Sequence, residues 1–242
     1  MSDESTMYTA EEALLSKLSA IDRGYVTDNY SHYLTSSQKR IRKPPIINRG
    51  YYTRVECVRQ LVNSFIDKTN VDTARQVVVV GSGYDTTSFQ LLLSQHVPNL
   101  ILIEVDFDET IRKKLMLVLN NKQLMSEILK YEANSDMPPP PPPPSSSSSS
   151  SDSDSVSLTA QQKKQKMMDK HKIDIPGNPN PSKCSCYRVI NQPSCNSALY
   201  YVSADLRDVT GGGTGGEAGG DDVSSSSSSF MTTLRYIANI HE

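Results

Sequence analysis

The sequence predicts an α/β fold: a doubly wound parallel sheet, interrupted by low-complexity insertions and truncated after its third strand. Three observations predict it. The runs Gln76 to Val80 and Leu100 to Val105 are apolar except for Gln76 and Glu104 and do not alternate, as is usual of strands buried on both faces. The first run ends in Gly81-Ser82-Gly83, where glycines permit a sharp turn. Helical patterns separate and follow the runs, so the order is strand, glycine turn, helix, strand, helix.

Each element has its own signal. Residues 10–24 read as a helix, because Leu14, Leu15, Leu18 and Ile21 recur at helical spacing and Gly24 is a stop. A second helix is expected from about Tyr51 to Lys68, with Val55, Val58, Leu61, Val62 and Phe65 as its apolar stripe. The first strand, 76–80, leads into a helix from Thr86 to Gln95, and then the second strand, 100–105, follows. Residues 108–130 read as one long helix through Ile111, Leu115, Val118, Leu119 and Leu124. The third strand is expected at 199–203, on Leu199-Tyr200-Tyr201-Val202. The final segment, 230–242, carries Phe230, Leu234, Ile237 and Ile240 at helical spacing.

These elements divide the chain. Residues 1–134 hold the N-terminal helices and the βαβα unit, and 183–210 hold the third-strand region. Between them, 135–182 contains an unbroken proline run, Pro138 to Pro144, and an unbroken serine run, Ser145 to Ser151. Such residues form a stiff rod and a solvated coil rather than a core, so a surface insertion is expected, with 158–172 as a transient polar helix. A proline rod is also a ligand for SH3 or WW domains; a tolerated loop is the simpler reading. Residues 211–229 form a second, Gly/Ser-rich tract, and 230–242 a terminal helix.

Composition limits the function. The 242 residues carry 25 Lys and Arg against 27 Asp and Glu, a net charge of −2. No basic footprint is present, so no nucleic-acid partner is expected. The acidic start Met1-Ser2-Asp3-Glu4 is not a signal peptide, and no apolar run nears the roughly 20 residues of a membrane helix. A soluble, cytoplasmic monomer is the expectation. The four cysteines, Cys57, Cys184, Cys186 and Cys195, are expected as free thiols. Cys184, Cys186 and Cys195 with His171 would be the one zinc arrangement. Cys-x-Cys is not the usual ligand spacing, so loop thiols and no metal are preferred.

Gly81-x-Gly83 after a strand lets a ligand approach the backbone closely. An acid at the end of the next strand, Glu104 or Asp106, stands about 20 residues beyond Gly81, as a ribose-binding acid does. Asp85-Thr86 stand where a dinucleotide fingerprint has its third glycine, which favours a ligand without a pyrophosphate. The pattern alone leaves three readings: S-adenosylmethionine, another nucleotide, or a purely structural turn.

Five pieces narrow this. They are Ala13-Leu14-Leu15-Ser16-Lys17-Leu18-Ser19-Ala20, Ile47-Asn48-Arg49-Gly50-Tyr51-Tyr52-Thr53-Arg54, Val80-Gly81-Ser82-Gly83-Tyr84-Asp85-Thr86-Thr87, Glu104-Val105-Asp106-Phe107 and Ala204-Asp205-Leu206-Arg207-Asp208. In this order they resemble the leucine carboxyl methyltransferase family. The resemblance covers residues 10–130 and 198–209, roughly half the chain, and the Asn-Arg-Gly-Tyr-Tyr-x-Arg piece is its most specific part. It implies a sheet of the S-adenosylmethionine-dependent methyltransferase type and S-adenosyl-L-methionine as cofactor. It implies methylation of the C-terminal leucine carboxylate of the protein phosphatase 2A catalytic subunit, whose tail would be the partner.

By the resemblance, Lys17 and Arg54 are cofactor contacts, Gly81 is the cofactor glycine, Asp106 the ribose-side acid, and Asp205 and Leu206 read the adenine edge. The physics is coherent, since arginine grips a carboxylate in a fork. Without the resemblance, Lys17 and Arg54 would be solvated helix positions and Asp205 a helix cap. No catalytic residue is identified, because a carboxylate is already nucleophilic at neutral pH. A sister group with the same domain methylates a hypermodified guanosine in transfer RNA, and a non-catalytic remnant is a third reading. Family members continue beyond the third strand with a further acid-bearing motif. Weak activity is therefore the expectation for this chain.

Overall fold

The computed structural model describes residues 3–35, 42–133, 159–176, 178, 184–205 and 229–241. The elements are α1 (Asp3–Asp22), α2 (Pro45–Lys68), β1 (Arg75–Val80), α3 (Thr87–Phe89), β2 (Leu100–Asp106), α4 (Asp108–Asn120) and α5 (Lys122–Ala133). After them come α6 (Ala160–Asp169), β3 (Lys172–Ile173), β4 (Cys184–Gln192), β5 (Ser197–Ala204) and α7 (Ser229–Asn239). A π-helical turn, Gln90–Ser94, continues α3.

The five strands form one sheet in the order β1-β2-β5-β4-β3. The expected strands pair in parallel: Arg75 to Val80 lie beside Leu100 to Val105, and Ile101 to Asp106 lie beside Ala198 to Ser203. This is the expected α/β architecture. The sheet does not stop at three strands, however. β4 runs antiparallel to β5, and β3 antiparallel to β4. The sequence hides β4 because Cys-Ser-Cys-Tyr-Arg-Val-Ile-Asn-Gln is neither continuously apolar nor cleanly alternating, and a register shift falls between Arg188 and Ile190. Asn196 closes the β4–β5 connection in the left-handed region, at φ 48°, a conformation asparagine tolerates.

Three other expectations change. β1 is not buried on both faces. Among the described residues it bonds to β2 alone, and Val80 is 56% exposed. The helix expected over 108–130 is two helices. Asn121 leaves the helical path at ψ 103°, and its Oδ1 accepts from the amides of Gln123 (3.1 Å) and Leu124 (3.0 Å), which caps α5. α2 begins earlier than expected, with Pro45 in its first turn, where proline's missing N–H costs no helical bond. Its stripe is only partly covered: Val62 packs against the core, while Val58, Leu61 and Phe65 are exposed.

Within 135–182, Thr159 and Gln162 form a reciprocal cap that starts α6, and Met168 buries its side chain. The proline and serine runs, Leu206 and residues 211–228 lie outside the described residues.

Alternate residues of β2 and β5 feed opposite faces of the sheet, as pleating requires. Leu102, Leu199 and Tyr201 join Leu14, Phe89 and Ile111 on one side. Ile101, Ile103, Val105, Tyr200 and Val202 join Ile237 of α7 on the other. Each fully buried Leu or Ile contributes about 1.5–3 kcal/mol. This fixes the carboxyl ends of β1, β2 and β5 side by side. Among the described residues no helix is long and apolar enough to cross a membrane.

Candidate functional site

The glycine turn hangs from the end of β2. The amides of Gly81 (2.8 Å) and Ser82 (3.2 Å) both donate to the Val105 carbonyl. Gly81 (φ 65°) and Gly83 (φ 49°) lie in the left-handed region, which a side chain disfavours. The Gly83 amide donates to Asp106 Oδ2 at 2.7 Å, and the Phe107 amide to Oδ1 at 2.8 Å. The strand and the turn thus position one carboxylate, which keeps lone pairs for a ligand.

Two further features mark the turn. A Cβ built on Gly81 meets nothing within 4 Å, so the backbone borders open space. Ser82 Oγ is buried and has no hydrogen-bond partner among the described residues. Asp205 directly follows β5, whose Ser203 is level with Asp106. It therefore stands at the same end of the sheet.

The two candidate ribose acids separate cleanly. Glu104 is fully buried, takes the Ser88 hydroxyl at 2.6 Å and pairs with Lys114, which is equally buried. Burial pushes the Glu104 carboxyl up, and the Lys114 charge beside it pulls the other way. Asp106 alone faces partly outward.

Lys17 reaches the same loop from α1. Its ammonium donates to Thr86 Oγ1 at 2.8 Å, pairs with Asp28 at 2.7 Å and lies 3.7 Å from Asp85. It is buried, not on a solvated helix face. Asp28 also accepts from the amides of Tyr30 (2.8 Å) and Ser31 (3.0 Å) and from the Thr86 hydroxyl (2.5 Å). Burial raises the Asp28 carboxyl, but the Lys17 charge and these bonds prevail and hold it near 2. Arg54 is placed differently. It is exposed on α2, and no hydrogen bond or ion pair among the described residues ties it to the turn. Leu206, the other adenine-side candidate, is not among them.

The sequence reading does not single out Asp28 or Lys114, and it takes Glu104 only as an alternative ribose acid, not as the buried partner of Lys114. Asp28 gives no signal in a loop between helices. Glu104 and Lys114 do give one: an acid inside an apolar strand, and a lysine between Ile111 and Leu115 on the buried face of α4.

Two cysteines lie in β4, where Cys184 pairs with Ala204 at the end of the sheet that carries Asp106. Cys184 and Cys186 are buried in β4, not in a loop, and burial pushes the Cys186 thiol up to about 12. Cys57 is exposed, and all four thiols are free. Among the described residues no group of three or more His, Cys, Asp or Glu is placed to hold a metal.

Comparison with known proteins gives a consistent result. The profile of the family described as leucine carboxyl methyltransferase matches residues 5–137. The leucine carboxyl methyltransferase 1 homolog of Arabidopsis thaliana is 38% identical over 120 residues, which are 50% of this chain and 35% of that protein. Leucine carboxyl methyltransferase 1 of Rattus norvegicus is 37% identical over 128 residues, 53% of this chain and 37% of that protein. The tRNA wybutosine-synthesizing protein 4 of Schizosaccharomyces pombe is 33% identical over 132 residues, 53% of this chain and 19% of that protein. The matched region thus spans little more than a third of the first two relatives.

Proposed function

The chain belongs to the leucine carboxyl methyltransferase family, and from that premise we propose that it binds S-adenosyl-L-methionine at the Gly81–Asp85 turn and methylates the C-terminal leucine carboxylate of a protein phosphatase 2A catalytic subunit. One observation carries the proposal. Asp106, at the end of a parallel strand, is held by the amide of Gly83, two residues from a Gly81 that faces open space, and ligands of open α/β sheets bind at such strand ends.

The residues would divide the work as follows. Asp106 accepts from ribose hydroxyls, and the buried Ser82 hydroxyl supplies a further polar contact. Lys17 and Arg54 supply positive charge for the cofactor's own carboxylate, with Lys17 shared with Asp28. Asp205 and Leu206 read the adenine edge. Bound there, S-adenosylmethionine supplies an electrophilic methyl on a sulfonium. A leucine carboxylate is ionised far below pH 7, so no general base is required of the chain. Its task is alignment and exclusion of water, and orientation of this kind is worth several kcal/mol.

A second reading is kept because relatives named tRNA wybutosine-synthesizing protein 4 also match. The higher identity to the carboxyl methyltransferases and the net charge of −2 favour the protein substrate. The test is transfer of radiolabelled methyl from S-adenosylmethionine to the phosphatase catalytic subunit, with transfer RNA in parallel. Base-labile label on the phosphatase that disappears when its terminal leucine is removed supports the reading. Label on transfer RNA alone reverses it.

A further inference from the structure

We propose that Lys114 is a positioning residue for the cofactor turn, fixing the Asp85 carbonyl from inside the core so that the Gly83 amide stays on Asp106. The inference rests on the reading of the turn as the cofactor site.

The turn has three successive anchors. Gly81 and Ser82 donate to the Val105 carbonyl, and Gly83 donates to the Asp106 carboxylate. Both of these anchors are β2 itself. The third comes from elsewhere: Lys114 Nζ, on α4, donates to the Asp85 carbonyl at 2.6 Å. The same ammonium pairs with Glu104 and lies 5.1 Å from the centroid of the Tyr201 ring. Glu104 in turn takes the hydroxyl of Ser88, in the helix that follows the turn. The loop is thereby pinned to the buried interior just where it leaves the ligand side.

Stability does not explain this arrangement. Lys114 and Glu104 are both wholly buried. Replacing a buried ion pair by apolar residues of similar volume is often neutral or stabilising, because desolvating two charges is costly. A methionine would fill the same slot between Ile111 and Leu115. What it could not do is donate to the Asp85 carbonyl. Glu104 provides the counter-charge that lets a donor sit there, and the Tyr201 ring face accommodates the rest of the ammonium.

The bland alternative is that Lys114 only neutralises Glu104, and a double substitution separates the two roles. The 242-residue chain, Lys114→Met and Glu104→Gln/Lys114→Met are compared by calorimetric titration with S-adenosylmethionine, each below its own melting temperature. Lys114→Met should melt lower, because it strands a buried acid, and should bind roughly ten- to a hundredfold more weakly. The double variant should regain the melting temperature but not the affinity. Its Gly83 amide should also exchange hydrogen faster than in the unsubstituted chain without any ligand present, a readout that does not depend on binding. Recovery of affinity and melting temperature together in the double variant would reduce Lys114 to a counter-ion and overturn the proposal. Unchanged affinity in Lys114→Met would also overturn it. Absence of binding by the unsubstituted chain would overturn the cofactor reading and this inference with it. Undiminished affinity in both variants would overturn the inference alone.

Discussion

Replacing Asp28 by asparagine should destabilise the protein strongly and alter its response to acid. The Asp28 side chain is 1% exposed, and it pairs with a Lys17 ammonium that is itself buried. Its carboxyl lies near 2 instead of the ordinary 3.8. At about 1.4 kcal/mol for each pH unit, a depression of this size stabilises the fold by roughly 2–3 kcal/mol. Because the folded value is depressed, this stability is present above about pH 4 and is lost as the pH falls towards 2. Asparagine removes it and also leaves Lys17 with the Thr86 hydroxyl and a distant Asp85. Breaking a buried pair from one side costs about 3–5 kcal/mol. The melting temperature should therefore drop on the order of 10 °C. Urea unfolding at pH 7, followed by circular dichroism and repeated from pH 5 to pH 2, measures both effects. A loss below about 0.5 kcal/mol, or an Asp28→Asn variant that keeps the parent's slope between pH 4 and 2, would refute the reasoning.

Other perturbations test the site and the fold, the first of them resting on the family resemblance and not on the geometry. Arg54→Ala should weaken S-adenosylmethionine binding about ten- to a hundredfold; unchanged binding in a titration would remove Arg54 from the site. Gly83→Ala should cost about 1–2 kcal/mol, through the left-handed backbone at φ 49° rather than through crowding, since a Cβ there meets Ala10 at an ordinary 3.5 Å. Equal unfolding midpoints would count against the turn as drawn. Ellman's reagent should modify exposed Cys57 first and reach Cys184 and Cys186 only on unfolding. Fast labelling of three or more thiols in the folded protein would contradict the buried strand.

Much of the fold was legible because it is written in short, mostly apolar runs. Leu100 to Val105 could only be a covered strand, and the glycines after Val80 could only be a turn. β4 was not legible, because its burial comes from pairing with β5, and two thiols, a serine and a tyrosine fill its buried positions as well as aliphatic residues do. Asn121 was read as part of a helix because periodicity counts apolar residues and ignores caps. At the site, Gly81 and Asp106 were visible from spacing, whereas Lys17 had no intrinsic signal: its significance lies in Asp28 and Thr86, which are 11 and 69 residues away and meet it only in the fold. Arg54 came from the resemblance alone, and the described contacts do not tie it to the turn.

The sheet has two unlike borders. On one side it ends in β3, a strand of two residues that offers little backbone for any newcomer. On the other it ends in β1, whose six residues bond to β2 alone among the described residues, and nearby α2 shows Leu61 and Phe65 to solvent. Growth of this sheet is therefore directional. A polypeptide that extends it by main-chain pairing has one effective place to add, and that place is the strand that delivers Gly81. Running parallel to β1, such an addition would bring its own carboxyl end to the end of the sheet that carries the turn. The open border of the sheet, among the described residues, is thus the strand that runs straight into the glycine turn.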